Sequence, residues 1–239
     1  WDSWGFYSEK ENKFELTDRV VEKKQVLPQM LKSKAAECAY IWGRLYRRSC
    51  IIKALEADGT LLFPTYNILE DDAFNIAISP YIESMWITNS IVIHHRSGGV
   101  TSHDCPYIRE GGGAFDGKFE YCLKYNCEET LPEVFNNYFL FLALDIFNQI
   151  HFKYSSKSEM IAFVAKELSE RKIVIWAREH PSEINNRNQL KKKIIENDAV
   201  GFVNAAFIAQ KKRRKHYLKI RILSYYQIIM DKVETITQR

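Results

Sequence analysis

The sequence lacks a long apolar run and a closely spaced cysteine framework. The first absence argues against a membrane-spanning protein, and the second against a disulfide-rich secreted one. Its most apolar stretch, residues 134–150, is interrupted by Asp145 and three asparagines. Spanning a bilayer takes about 20 apolar residues, so we interpret this stretch as a buried helix. The five cysteines are an odd number without tight spacing. Reduced thiols are therefore expected, and they predict an intracellular protein, either cytoplasmic or nuclear.

The common signatures of nucleotide and nucleophile chemistry are also missing. The glycines of Ser97-Gly98-Gly99 are not followed by Lys-Ser or Lys-Thr, which excludes a P-loop. The chain contains no Gly-x-Ser-x-Gly elbow, no Cys-x-x-Cys pair, no internal repeat and no low-complexity segment. Any chemistry must therefore come from residues that are not arranged in one of these patterns.

What the chain does have is enough apolar surface for a large core, since 46% of its 239 residues are hydrophobic. The patterns predict an α+β fold, a mixed α/β body built on a central mixed sheet that is packed by helices. Asp116-Gly117 favours a type I′ turn and predicts a β-hairpin near 114–125. Further strands are expected at 61–63, 66–69, 74–78, 90–95 and 172–177. Helices are expected at 28–57, 132–152, 158–172, 188–197 and 199–237, with a short one at 80–86.

Charge is distributed unevenly along the chain. Residues 190–239 contain 12 Lys/Arg and 4 Asp/Glu, a net charge of +8, whereas residues 1–189 contain 22 and 26, a net charge of −4. The sequence thus predicts a mixed α/β core domain over 1–187 and a basic helical C-terminal segment over 188–239. This asymmetry is the main indication of function, because a basic segment on an acidic body is typical of proteins with anionic partners.

The densest basic tract lies within this C-terminal segment and alternates with tyrosine, leucine and isoleucine. Positive side chains neutralise nucleic-acid phosphates, so the tract predicts a nucleic-acid interface. An anionic membrane surface is a less favoured partner, and a solvated helix that only packs on the body also stays open. The residues predicted to bind nucleic acid are Lys211, Lys212, Arg213, Arg214, Lys215, Lys219 and Arg221.

A cluster of acids near residue 70 is the second candidate site. Glu70, Asp71 and Asp72 follow a predicted strand, and carboxylates at strand ends can hold Mg²⁺ or Mn²⁺. His94 ends another predicted strand and His103 follows it, and either could activate water beside such a metal. The prediction is a metal site at the three acids, with Asp71, Asp72, His94 and His103 as catalytic residues.

The segment Leu-Glu-Asp-Asp-Ala at 69–73, preceded by the predicted helix 28–57, resembles the acidic metal motif of nucleotide-sugar glycosyltransferases of the lipooligosaccharide type. The resemblance rests on these five residues. It implies that the acids hold a metal that bridges the diphosphate of a nucleotide sugar. A zinc site formed by His103, Cys105, Cys122 and Cys127 is a further alternative.

Three functions follow, in this order. The first is a nucleic-acid-binding protein, with a metal-dependent nuclease or phosphoryl-transfer enzyme as its catalytic form. The second is a metal-dependent nucleotide-sugar glycosyltransferase. The third is a non-catalytic subunit of a larger protein complex. The sequence does not decide whether the protein is an enzyme.

Overall fold

The computed structural model describes residues 19–32, 44–62, 70–87, 112–184 and 188–212. The chain divides into two compact units, Trp1–Asn137 and Tyr138–Arg239. The domain boundary predicted between residues 187 and 188 falls inside the second unit, which this division does not subdivide, and it stays a prediction.

The described residues are mostly helical. Three short 3₁₀ turns, Ser79–Tyr81, Glu128–Thr130 and Pro181–Glu183, join some of the elements. In chain order the elements are β1 (Arg19–Glu22), α1 (Lys23–Lys32), α2 (Arg48–Leu62), α3 (Glu70–Ile78), β2 (Ser84–Ile87), α4 (Gly112–Lys124), α5 (Leu131–Phe152), α6 (Lys157–Glu170), α7 (Lys172–Glu179), α8 (Gln189–Ile195) and α9 over residues 199–212. The α+β class therefore holds only in the coarse sense of many helices with a minimal sheet.

The sheet in the described residues consists of β1 and β2, paired antiparallel. Val20 lies opposite Trp86, and Val21 lies opposite Met85. Side chains alternate between the two faces of a strand, so Val21 and Ile87 are buried while Val20 and Trp86 point outward. The expected central mixed sheet is not found in the part of the chain that the structure describes.

The predicted hairpin at 114–125 is wrong, because these residues form helix α4. Its buried residues include Phe115, Lys118 and Cys122, which recur at helical rather than strand spacing. Asp116 and Gly117 lie inside the helix instead of forming a turn. Packing of this face therefore outweighs the local turn preference of the Asp-Gly pair.

Two predicted strands are also helices. Residues 74–78 belong to α3, and residues 172–177 belong to α7, where Ile173, Val174 and Ala177 share the buried face. Periodicity alone cannot separate a short apolar run in a strand from one in a buried helix, and this explains both errors. The strands predicted at 66–69 and 90–95 lie outside the described residues.

The predicted helix 28–57 is wrong in its extent. Helix α1 already begins at Lys23 and contains Pro28, residues 44–47 are not helical, and α2 continues beyond Asp58-Gly59 to Leu62. The strand expected at 61–63 is consequently helical at its first two residues. The short helix expected at 80–86 is replaced by the end of a 3₁₀ turn and by β2.

Helices α5, α6 and α8 confirm the helices predicted at 132–152, 158–172 and 188–197. Ser156 caps α6: its side chain accepts a hydrogen bond from Glu159 N–H, and the Glu159 carboxylate accepts one from Ser156 N–H. Helix α9 confirms the first part of the helix predicted at 199–237, and the remainder lies outside the described residues.

Each unit has its own apolar core. In the first, Val26 and Leu31 of α1 and Ile78 of α3 are fully buried. In the second, Ile194 of α8 and Phe202 of α9 are fully buried. None of the described helices combines the length and the apolar character needed to cross a bilayer.

Candidate nucleic-acid interface

Helix α9 carries the start of the basic tract, and Asp198 caps its first turn. The Asp198 carboxylate accepts a hydrogen bond from Gly201 N–H at 2.7 Å, and Asp198 C=O accepts one from Phe202 N–H at 2.9 Å. The hydrogen bond from Gly201 and a second one from Lys193 hold the pKa of Asp198 below its usual range. A β-carbon at Gly201 would overlap the Asp198 carboxylate, so this cap depends on glycine.

The buried face of α9 fixes the orientation of its last described residues. Phe202, Val203 and Ala206 are fully buried, whereas Lys211 and Lys212 are exposed. From residue 199 to residue 230 the chain contains seven Lys/Arg and no Asp or Glu. A packed helix thus presents exposed positive charge within a stretch that contains no acids.

The acids that precede α9 are already paired with lysines of α8. Glu196 lies 2.8 Å from Lys193 and 3.7 Å from Lys192, and Asp198 lies 3.0 Å from Lys193. These contacts lower the pKa of Glu196 and raise that of Lys193. Most of the positive charge of this C-terminal segment therefore comes from the tract that begins at Lys211.

Of the residues predicted to bind nucleic acid, Lys211 and Lys212 are described and exposed. Arg213, Arg214, Lys215, Lys219 and Arg221 lie outside the described residues. The binding role of the whole set stays a prediction.

The strand predicted before the acidic triplet, at 66–69, lies outside the described residues, and the triplet itself lies in the first turn of α3. Acids favour this position because they interact with the positive end of the helix dipole. Glu70 is exposed and Asp71 half-buried, but Asp72 is buried and forms an ion pair with Lys118 of α4, which is equally buried. The Lys118 ammonium group supplies at Asp72 the positive charge that a metal would otherwise bring, and this disfavours a metal ion there.

The remaining residues of the predicted catalytic site, His94 and His103, lie outside the described residues. Within the described ranges, no group of three or more His, Cys, Asp or Glu side chains is placed to hold a metal ion. Binding of Mg²⁺ or Mn²⁺ by Glu70, Asp71 and Asp72, and the catalytic roles of Asp71, Asp72 and the histidines, stay predictions.

The cysteines of α4 and of the turn after it have the character of core residues. Cys122 Sγ lies 3.1 Å from Thr130 Oγ1, and burial raises the pKa of Cys122 to about 11. Burial also raises the pKa of Cys127. Nucleophilic attack needs the thiolate, so these shifts disfavour a nucleophilic role for either cysteine, and zinc binding by the pair stays a prediction. The other two ligands of the zinc alternative, His103 and Cys105, lie outside the described residues.

Sequence reasoning missed a group of exposed aromatic side chains at the end of α5. We call residues 151–154, His-Phe-Lys-Tyr, the aromatic turn. All four are exposed, and the Phe152 and Tyr154 rings stack with their centroids 5.3 Å apart. Two aromatic residues flanking a lysine were the available signal, but they lie at the end of the apolar helix predicted over 132–152, where they have no pattern of their own.

Comparison of the chain with protein-family models, with curated proteins and with solved structures finds no match.

Proposed function

We propose that the protein binds nucleic acid, and that the basic segment beginning at Lys211 contacts the phosphate backbone. One observation carries the proposal: α9 is anchored by fully buried residues and presents Lys211 and Lys212 at the surface. These two lysines open a tract of seven Lys/Arg over residues 199–230, in which there is no acid.

Electrostatics supports this choice of partner. Each Lys or Arg that neutralises a phosphate releases condensed counterions, and this release favours binding without any sequence preference. The mildly acidic remainder of the chain, with a net charge of −4 over residues 1–189, would repel nucleic acid elsewhere. The net charge therefore favours the basic segment as the main electrostatic contact.

The test is salt-dependent binding of the full chain to a fluorescein-labelled single strand of 20 nucleotides, followed by fluorescence anisotropy from low to physiological salt. The test variant is Lys211→Gln/Lys212→Gln. The matched control, Lys24→Gln/Lys53→Gln, makes the same change in charge at two exposed lysines of the first unit.

For single strands, log K falls with log[salt] by about 0.7 for each phosphate contacted. The slope of the test variant should therefore be shallower than wild type by about 1.4, and the control should keep the wild-type slope. A wild-type protein that fails to bind at low salt would refute the proposal. Equal slopes for the test and control variants would show that the two lysines do not contact phosphate.

A second candidate function, a subunit of a larger complex, is favoured by the open face of the sheet. Val20 is 59% exposed and Trp86 is 71% exposed, and they lie directly opposite each other. Exposed tryptophans are enriched where proteins bind one another. Affinity capture with wild-type and Trp86→Ser baits tests this idea, since a partner held through this face should be lost only from the variant.

A further inference from the structure

The aromatic turn presents a stacked pair of rings to solvent. The ring planes of Phe152 and Tyr154 are 26° apart, and the two side chains are 37% and 45% exposed. His151 packs edge-on against Phe152 with the ring centroids 4.6 Å apart. The stack therefore keeps more than a third of each side chain accessible to a ligand.

The backbone on both sides of these rings is held in place. Ser155 Oγ donates a hydrogen bond to Gln149 Oε1 at 3.0 Å, and Ser156 and Glu159 form the capping box of α6. Between the rings, Lys153 has a φ of 58°, a left-handed conformation that is unfavourable for any residue with a β-carbon. Because the turn is already ordered, a ligand that stacks on it would lose little binding energy to ordering it.

The segment that carries the rings is positively charged, and the first acid after it is Glu159, whose carboxylate accepts the hydrogen bond from Ser156 N–H. Residues 150–158 contain two lysines and no acid. Lys153, which lies between Phe152 and Tyr154 in sequence, is exposed. Lys157 directly follows the capping Ser156, and its ammonium group lies 5.9 Å from the centroid of the Phe207 ring. This contact connects the start of α6, which follows the aromatic turn, to α9, the helix that carries Lys211 and Lys212.

We propose that the aromatic turn is a stacking platform for unpaired bases of single-stranded nucleic acid, with Lys153 and Lys157 beside the phosphates. The inference rests on the proposed function and deepens it, because it names the class of substrate. Exposed aromatic rings next to lysines are the arrangement that binds single strands without sequence preference, since every base has a π-face. The bases of a duplex are already stacked on one another and cannot use such a platform.

The platform favours nucleic acid over a protein partner because of its charge. A protein-binding aromatic patch needs no cations around it, whereas a base can reach the rings only if its phosphates are accommodated nearby. The two lysines, with no acid in this stretch, provide that accommodation.

The experiment measures binding of the full chain to fluorescein-labelled dT20, U20 and a DNA duplex of the same length by anisotropy. Tyr154→Ala removes one ring, and Tyr154→Phe keeps the ring but removes the hydroxyl. Trp86→Ser is the matched control, because it removes a more exposed aromatic side chain from the first unit.

Tyr154→Ala should weaken single-strand binding about tenfold at constant salt, within the range found for single base–aromatic stacks. The slope against log[salt] should not change, because no charge is removed. Tyr154→Phe and Trp86→Ser should bind as wild type does, and duplex binding should be unaffected by any of the three. The relative affinities for dT20 and U20 show whether DNA or RNA is preferred.

Two negative results are distinguishable. If the wild type binds no nucleic acid, the proposed function fails and the platform with it. If the wild type binds with a steep salt slope and Tyr154→Ala binds equally well, the proposed function stands and the platform is refuted. The rings would then be a surface for a protein partner.

Discussion

Lys118 and Asp72 form an ion pair in which the side chains are only 4% and 3% exposed. One residue lies in the middle of α4 and the other in the first turn of α3. Two charges removed from water are tolerated only together, so this pair fixes how the two helices meet.

Removing either partner should be strongly destabilising. Asp72→Ala or Lys118→Ala should lower the free energy of unfolding by about 3–5 kcal/mol, because each leaves a buried charge without its counterion. Replacing both, as Asp72→Leu/Lys118→Met, should recover most of this loss. Urea unfolding followed by circular dichroism measures all three, and a double variant as unstable as the singles would contradict the ion-pair account.

The requirement for glycine at position 201 can be tested by whether substitution with alanine raises or lowers the stability of the fold. Gly-to-Ala substitution inside a helix ordinarily stabilises by about 1 kcal/mol. Gly117→Ala in α4 should show this gain, because nothing lies within 4 Å of its added β-carbon. Gly201→Ala should not, because its β-carbon would displace the Asp198 cap, which is itself worth about 1 kcal/mol. Thermal unfolding compares the two, and in an Asp198→Ala background Gly201→Ala should regain the full stabilisation.

The Asp198 cap should make stability fall in acid. The lowered pKa of Asp198 in the folded state means that its contribution is complete above the unfolded pKa of about 4, and is lost as the pH falls through the folded value. The Asp198→Asn variant keeps a side-chain oxygen that can cap the helix, but it has no group that titrates in this range. Between about pH 6 and pH 3 the wild type should therefore lose more unfolding free energy than Asp198→Asn. Urea unfolding at both pH values measures the difference, and equal losses would exclude a titrating cap.

Replacing Lys153 should raise the stability of the fold and weaken the binding of single strands. Lys153→Gly relieves the left-handed backbone and should stabilise the fold by about 1 kcal/mol, yet it should weaken single-strand binding and reduce the salt slope by about 0.7. Asn197→Gly is the matched control, since Asn197 has a φ of 55° and carries no charge. It should leave binding unchanged. A variant of Lys153 that binds as wild type does would exclude this lysine from the interface.

The sequence predicted some elements of the fold and missed others for identifiable reasons. α5 and α6 were predictable because their apolar periodicity extends over 22 and 14 residues, and because Ser156 marks a helix start. α4 and α7 were not, because a short apolar run and an Asp-Gly pair fit a strand locally, and only tertiary packing decides between the two structures.

In the sites, too, features set by local sequence could be predicted, and features set by long-range contacts could not. The exposure of Lys211 and Lys212 could be predicted from the sequence, because they belong to a dense run of charged residues. The ion pair between Asp72 and Lys118 joins residues 46 positions apart, and the local sequence around either residue does not predict it. The aromatic turn was missed because its rings adjoin an apolar helix and are exposed only through the geometry of the helix end.

The acid-free stretch from residue 199 to residue 230 has a kinetic consequence. If the proposed function holds, the positive charge of this stretch would act over about 8 Å in physiological salt and steer an anionic strand toward the protein, which would chiefly raise the association rate. The proposed stacking on the rings of the aromatic turn would act at contact distance and chiefly slow dissociation. Different residues of the same unit would then govern the association rate and the dissociation rate, so that substitutions could change one rate without the other.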